Sequence, residues 1–173
     1  VTAKIKEFPG ISLSEQDFKD GKVLFNFDKL NGVFAWDTGI GIGTYLASLK
    51  KGVILGSYCS TCRKTVVPPR TVCEWCYRPM EQYVPLKDTG TINTFSLCYV
   101  TWDVKRIKEP QIAAVIEIDG ASPLHGIMHM LGEIDPKDVK IGMRVQAVWK
   151  PASERQGSIN DILYFKPLKE DQP

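Results

Sequence analysis

The sequence predicts a mainly β protein in which a metal-stapled ribbon precedes a small closed barrel, and three observations carry that prediction. Four cysteines fall in two C-x-x-C pairs, Cys59–Cys62 and Cys73–Cys76, with ten residues between the pairs. From residue 90 onward the pattern becomes a series of short β-rich runs separated by turn residues. Before residue 53 the pattern is mixed, with two β-rich runs and one helical segment.

Length and composition set the bounds. A chain of 173 residues can bury one core and a smaller appended unit, but not two cores of full size. Charged residues make up 24% and hydrophobic ones 43%, ordinary values that argue against a disordered or membrane-embedded chain. The formal charge of +2, from 22 Lys and Arg against 20 Asp and Glu, is too small to imply nucleic acid or an anionic membrane as partner. The start Val1-Thr-Ala-Lys4 lacks the long apolar core of a signal peptide, and no run has the length needed to cross a bilayer. A cytoplasmic address is therefore expected. Five cysteines, two metal-type pairs and the single Cys98, suit a reducing compartment better than a disulfide framework.

Taken in order, residues 1–52 form a lead-in. Ser14, with Asp17 three residues later, starts a short helical turn. The runs Lys22–Phe27 and Val33–Trp36 flank an Asn31-Gly32 turn signal and predict a β-hairpin. After Gly39, Gly41 and Gly43, residues Tyr45, Leu46 and Leu49 predict a helix that closes at Gly52, its C-terminal dipole matched by Lys50 and Lys51. Residues 53–86 form the ribbon, with a strand over Val53–Tyr58. Val66-Val-Pro-Pro-Arg70 must be extended between the knuckles because each proline moves the residue before it out of the helical region. Tyr83-Val-Pro85 reads as an exit strand of edge character.

Residues 87–167 carry five predicted strands: Gly90–Val100, Ile112–Ile118, His125–Leu131, Arg144–Trp149 and Ile159–Phe165. The turns between them include Asp119-Gly-Ala-Ser-Pro123 and Ile141-Gly142. Five antiparallel strands close most economically as an OB-fold barrel, which removes most exposed edges. Residues 168–173 form a polar tail.

Two C-x-x-C knuckles can turn four thiolates toward one ion, so Cys59, Cys62, Cys73 and Cys76 are the expected ligands of a structural Zn2+, with iron as the lesser alternative. Four thiolates on zinc carry a net charge of −2, and Arg63, Lys64, Arg70 and Arg78 are close in sequence to offset it. No further polar ligand is evident, so the site is expected to be closed. Cys98, in the apolar run Phe95–Val100, reads as a small core residue rather than a nucleophile. His125 and His129, two strand periods apart, could share a face but have no carboxylate motif beside them. The glycine run before the helix fails both the dinucleotide and P-loop patterns and reads as a link or docking segment. The sequence has no nucleophile elbow, zinc-protease helix or convergent acid pair, and the chain is expected not to be an enzyme. In the connection between the first two barrel strands, Tyr99 and Trp102 beside Lys105, Arg106 and Lys108 could stack an adenine and pair phosphates, whether of CoA or of a nucleic acid.

The ordered landmarks Tyr45–Gly56, the two C-x-x-C pairs around Val66–Arg70, Thr89–Phe95, Ala113–Gly120 and Asp138–Val145 resemble the rubredoxin-like zinc-ribbon plus OB-fold proteins long grouped as a domain of unknown function and found beside thiolases. The resemblance spans roughly residues 41–166. It implies a non-catalytic scaffold that binds thiolase-fold enzymes and helps hold or pass acyl-CoA. Phe34–Gly39 is similar to archaeal members, which are linked to acetoacetyl-CoA thiolase and hydroxymethylglutaryl-CoA synthase and so to the mevalonate route. Two departures stand out. Rubredoxin-type knuckles usually carry glycine after the second cysteine, where this chain has Arg63 and Tyr77, and Pro110 is followed by Gln111 rather than an aromatic residue. The competing reading is a nucleic-acid-binding module, since ribbons and OB-folds recur there as well; the small net charge weighs against it.

Overall fold

The computed structural model describes residues 13–26, 32, 34–80 and 82–168. It divides into two compact units, Val1–Trp36 and Asp37–Pro173. In the first, helix α1 (Glu15–Lys19) starts where Ser14 and Asp17 predict it. The Ser14 amide and hydroxyl donate to Asp17 Oδ2 at 2.9 and 2.6 Å, which satisfies an end the backbone cannot. Phe18 and Phe25 meet edge to face at 5.3 Å. The link of the expected hairpin, residues 27–31, and residue 33 lie outside the described residues. Its described flanks, 22–26 and 34–36, belong to no strand. The physical reason is visible in their side chains: Leu24, Phe25, Phe34 and Trp36 are all exposed, so no sheet face is there to be covered.

The second unit opens with helix α2 (Gly39–Lys50). The helix begins at the glycine run itself, not after it, and this corrects the reading of that run as a link. A Cβ at Gly41 would stand 3.1 Å from the Pro69 carbonyl oxygen, so glycine lets the helix start in contact with the ribbon. Tyr45 and Leu49, one and two turns on, are buried.

Strands β1 (Ile54–Cys59), β2 (Lys64–Val66) and β3 (Gln82–Leu86) form a three-stranded antiparallel sheet in the order β2-β1-β3. Pro85 is thus on an edge strand, where its missing N–H costs least. Strands β4 (Thr89–Val100), β5 (Arg106–Ile118), β6 (Gly126–Met130), β7 (Arg144–Trp149) and β8 (Ile162–Pro167) form the second sheet in the order β6-β5-β4-β7-β8. A parallel bridge between Leu131 and Phe165 joins its two ends and closes the expected OB-fold barrel.

Alternation along β5 buries Ile112, Ala114, Ile116 and Ile118, which form one core with Leu49, Ile92, Val145, Ile162 and Phe165. The neighbours of β5 come so close that a Cβ at Gly90 would stand 2.4 Å from the Glu117 carbonyl oxygen and one at Gly126 2.1 Å from that of Ile116. Three strand predictions shift. The second barrel strand begins at Arg106 rather than Ile112, because its ladder with β4 continues past Gln111 to Arg106. The last strand begins at Ile162, because Ser158 and Asp161 cap a short 3-10 turn over Ile159–Asp161. Asp161 is buried; burial opposes its ionisation, but N–H donors from Gln156, Gly157 and Ser158 at 2.7–3.0 Å outweigh that and lower its pKa. The third barrel strand begins at Gly126, after His125.

Candidate metal centre and its surroundings

Cys59 ends β1, Cys62 closes the knuckle that leads into β2, and Cys73 and Cys76 form the second knuckle. The four Sγ atoms lie within 4.8 Å of one another. An ion about 2.3 Å from four sulfurs at the corners of a tetrahedron needs edges of about 3.8 Å. The structure has Cys59 Sγ–Cys76 Sγ at 3.6 Å and Cys73 Sγ–Cys62 Sγ at 3.8 Å. This all-thiol set fits zinc, and these two edges are at the tetrahedral length. Cys59 and Cys73 are buried and Cys62 and Cys76 half-buried, and together with Val66 and Met80 they make up a second, smaller core.

The knuckles keep the rubredoxin backbone without its glycines. Arg63 has φ 52° and Tyr77 φ 57°, the left-handed conformation that glycine ordinarily supplies. The backbone N–H of Cys62 points at Cys59 Sγ, 3.4 Å away. Of the four nearby cations, Arg70 pairs with Glu74, Lys64 Nζ stands 5.7 Å from the Trp75 ring centroid and Arg78 Nη1 donates to Thr61 Oγ1 at 3.4 Å.

The ribbon is bonded to the turn between β5 and β6. Thr65 N donates to Ser122 Oγ at 3.0 Å and Ser122 N to the Thr65 carbonyl at 2.8 Å. Trp75 meets His125 edge to face at 5.3 Å, and Glu74 Oε1 is 3.6 Å from His125 Nε2. Burial lowers the pKa of His125 against the opposing pull of Glu74. This joint was not read from the sequence; the Ser122-Pro123 turn signal was the available hint. His129 lies apart from it, with its ring 5.7 Å from that of Phe165 and Nε2 3.3 Å from the Ile159 carbonyl. The two histidines therefore share no face.

The connection between the first two barrel strands is a hairpin arm. The ladder continues to Val100 opposite Arg106, so Tyr99 is the next-to-last residue of one strand, Arg106 and Lys108 begin the other, and Trp102 and Lys105 occupy the turn. Trp102 is 96% exposed, and Lys105 pairs with Asp103 at 2.6 Å. Cys98 is on this arm, half-buried with Ser96 Oγ 3.9 Å away. It is not the core residue expected, because the strand runs out past the barrel core before reaching it. The start of α2 and residues 69–72 enclose an open groove of about 380 Å³, flanked by Ile40, Ile42 and Val72.

Residues 47–80 match the model of the ChsH2 rubredoxin-like zinc ribbon domain, and residues 83–150 that of the ChsH2 C-terminal OB-fold domain. A protein of Methanocaldococcus jannaschii, described as a DUF35 domain-containing scaffold protein, is 29% identical over 120 residues, 67% of this chain and 82% of the relative. The chain belongs to the DUF35 family. A DUF35 protein of unknown function from Sulfolobus solfataricus superposes with a TM-score of 0.55 at 26% identity, over 64% of this chain and 79% of that one. The Ltp2-ChsH2(DUF35) aldolase superposes with a TM-score of 0.57 at 19% identity, over 78% and 98%, and at that identity the likeness is one of fold. The zinc ribbon and the barrel are thus family features, and the reading as a non-enzyme agrees with the name of the scaffold relative. Among the described residues no helix is long and apolar enough to cross a membrane.

Proposed function

We propose that this chain is a non-catalytic scaffold that binds thiolase-fold enzymes of the acetoacetyl-CoA thiolase and hydroxymethylglutaryl-CoA synthase types and helps hold or pass acyl-CoA between them, in the mevalonate route of the cytoplasm. Its working parts are the lead-in (1–52), the ribbon (53–86), the barrel (87–167) and the tail (168–173). Cys59, Cys62, Cys73 and Cys76 hold Zn2+ as a clamp. The observation that carries the reading is the closed four-thiol cluster set among exposed apolar side chains: a sulfur cage with no open position stabilises a surface and performs no reaction. Support also comes from the scaffold relative and from the fold shared with a DUF35 chain named together with an aldolase.

The hairpin arm is the acyl-CoA contact in this reading. Lys105, Arg106 and Lys108 meet the phosphates, while Tyr99 or Trp102 stacks on the adenine or lies along the pantetheine. The zinc clamp supplies no chemistry to the acyl group; catalysis belongs to the partner.

Purification from the source at low salt tests the proposal. A thiolase and a synthase should co-elute with the chain, and the double variant Lys105→Glu, Arg106→Glu should weaken CoA-dependent coupling while leaving the complex intact. Salt-sensitive binding of oligonucleotides with no effect of CoA would replace the scaffold reading with the nucleic-acid one.

A further inference from the structure

Three large apolar side chains combine a strained backbone with solvent exposure: Tyr77 (φ 57°, 81% exposed), Val104 (φ 64°, 82%) and Leu124 (φ 67°, 81%). Left-handed backbone is unfavourable for any residue with a Cβ, and an aliphatic side chain in water regains nothing. At Leu124 the cause can be traced. His125 N donates to the Ser122 carbonyl at 3.1 Å, making Ser122–His125 a β-turn with Pro123 and Leu124 at its centre. Positive φ at the second central position is the type II geometry, in which glycine is the preferred residue.

The flanks of Leu124 are fixed to the ribbon, Ser122 by its exchange with Thr65 and His125 by Trp75 and Glu74. Leu124 is therefore the exposed tip of a turn bonded to the ribbon on both sides; its neighbour His125 meets Trp75, itself 45% exposed, and Tyr77 follows two residues further along that knuckle. Strain and exposure that the chain does not compensate are compensated when a protein surface covers the joint. The rim indicates the chemistry of that surface. Between Cys59 and Arg78 the sequence holds Arg63, Lys64, Arg70 and Arg78 against the single acid Glu74, which Arg70 already engages. A complementary face is apolar at its centre and edged with carboxylates. A nucleic acid fits less well, because an aliphatic centre offers a phosphate backbone nothing.

We infer that the ribbon–barrel joint, centred on Leu124, Trp75 and Tyr77, is the surface on which the partner enzyme docks, through an apolar patch edged by Asp and Glu. This rests on the scaffold reading and locates its interface on both the ribbon and the barrel. Leu124→Gly separates binding from folding, because glycine suits a φ of 67° while removing the side chain. The experiment uses the full zinc-loaded chain and the purified thiolase-fold enzyme that co-elutes with it. Calorimetric affinity and thermal midpoint are measured for wild type, Leu124→Gly and Leu124→Asp.

The glycine variant should keep or raise the midpoint and lose tenfold or more in affinity, and the aspartate variant should lose more. If wild type binds and both variants bind equally well, the interface is elsewhere and the scaffold reading stands. If wild type does not bind the enzyme, both readings fall. A midpoint that drops together with affinity makes Leu124 a structural residue and overturns the inference. So does unchanged enzyme affinity with loss of self-association or of oligonucleotide binding, which would make a second copy or a nucleic acid the occupant.

Discussion

Asp119→Asn probes the polar lock at the base of the barrel. Asp119 follows β5 and ties the starts of two other strands: Thr89 Oγ1 of β4 donates to it, and both terminal nitrogens of Arg144 of β7 grip its carboxylate, Nη1 to Oδ1 at 2.7 Å. Arg144 Nη1 reaches Thr91 as well, at 2.9 Å. The Arg144 guanidinium, ahead of the Thr89 hydroxyl, holds the carboxyl pKa down from 3.8 to about 2. That drop corresponds to about 2.4 kcal/mol if fully linked to folding. The side chains are 25% and 37% exposed, so solvent screening reduces the expected contribution to about 1 kcal/mol. Because the folded pKa is depressed, this stabilisation is complete above the unfolded value of about 3.9 and disappears as pH falls through about 2. Urea unfolding of wild type and Asp119→Asn at pH 7, 4.5 and 2.5 measures it. Acid also protonates the cysteine ligands, but in both proteins alike, so the difference between them at each pH is the quantity to follow. It should be near its maximum at pH 7 and 4.5 and narrow at 2.5. A gap that is absent at pH 7, or constant down to pH 2.5, would refute the argument.

Other outcomes follow from the same structure. Metal analysis should find one zinc per chain and no visible absorption, and chelation or Cys73→Ser should remove amide-exchange protection from the knuckles, residues 59–66 and 73–80, while β4–β8 keep theirs, since the small sulfur-lined core is separate from the barrel core. Gly126→Ala should destabilise by about 1–3 kcal/mol in denaturant titration, because a Cβ placed 2.1 Å from the Ile116 carbonyl oxygen forces β5 and β6 apart. Val104→Gly should raise the thermal midpoint by relieving about 1 kcal/mol of backbone strain at φ 64°.

The barrel and the metal site were legible where residue types repeat at spacings physics enforces. Alternating isoleucines mark β5, and paired cysteines at C-x-x-C spacing mark the knuckles and their ligand set. What escaped depended on contacts between segments distant in the chain. The glycine run looked like a link because its purpose, admitting the Pro69 carbonyl against α2, is fixed by a segment nearly 30 residues away. Ile159 looked like strand because the cap that turns it into a 3-10 start comes from Ser158 and Asp161 acting together. Arg63 and Tyr77 raised the question of whether the knuckles keep rubredoxin geometry, and the structure answers it by bending the residues and keeping the geometry. The pairing of Trp75 with His125 had no local signature at all.

Strand β1 gives the molecule a fixed gauge length. It starts at Ile54, within the barrel core, and ends at Cys59, within the sulfur-lined core. Five residue steps at about 3.3 Å each set the two ends about 17 Å apart, and pairing with β2 and β3 on both sides keeps the strand from flexing. Anything seated against the ribbon is thereby held at a set distance from anything seated against the barrel, and the chain behaves as a spacer block rather than a tether.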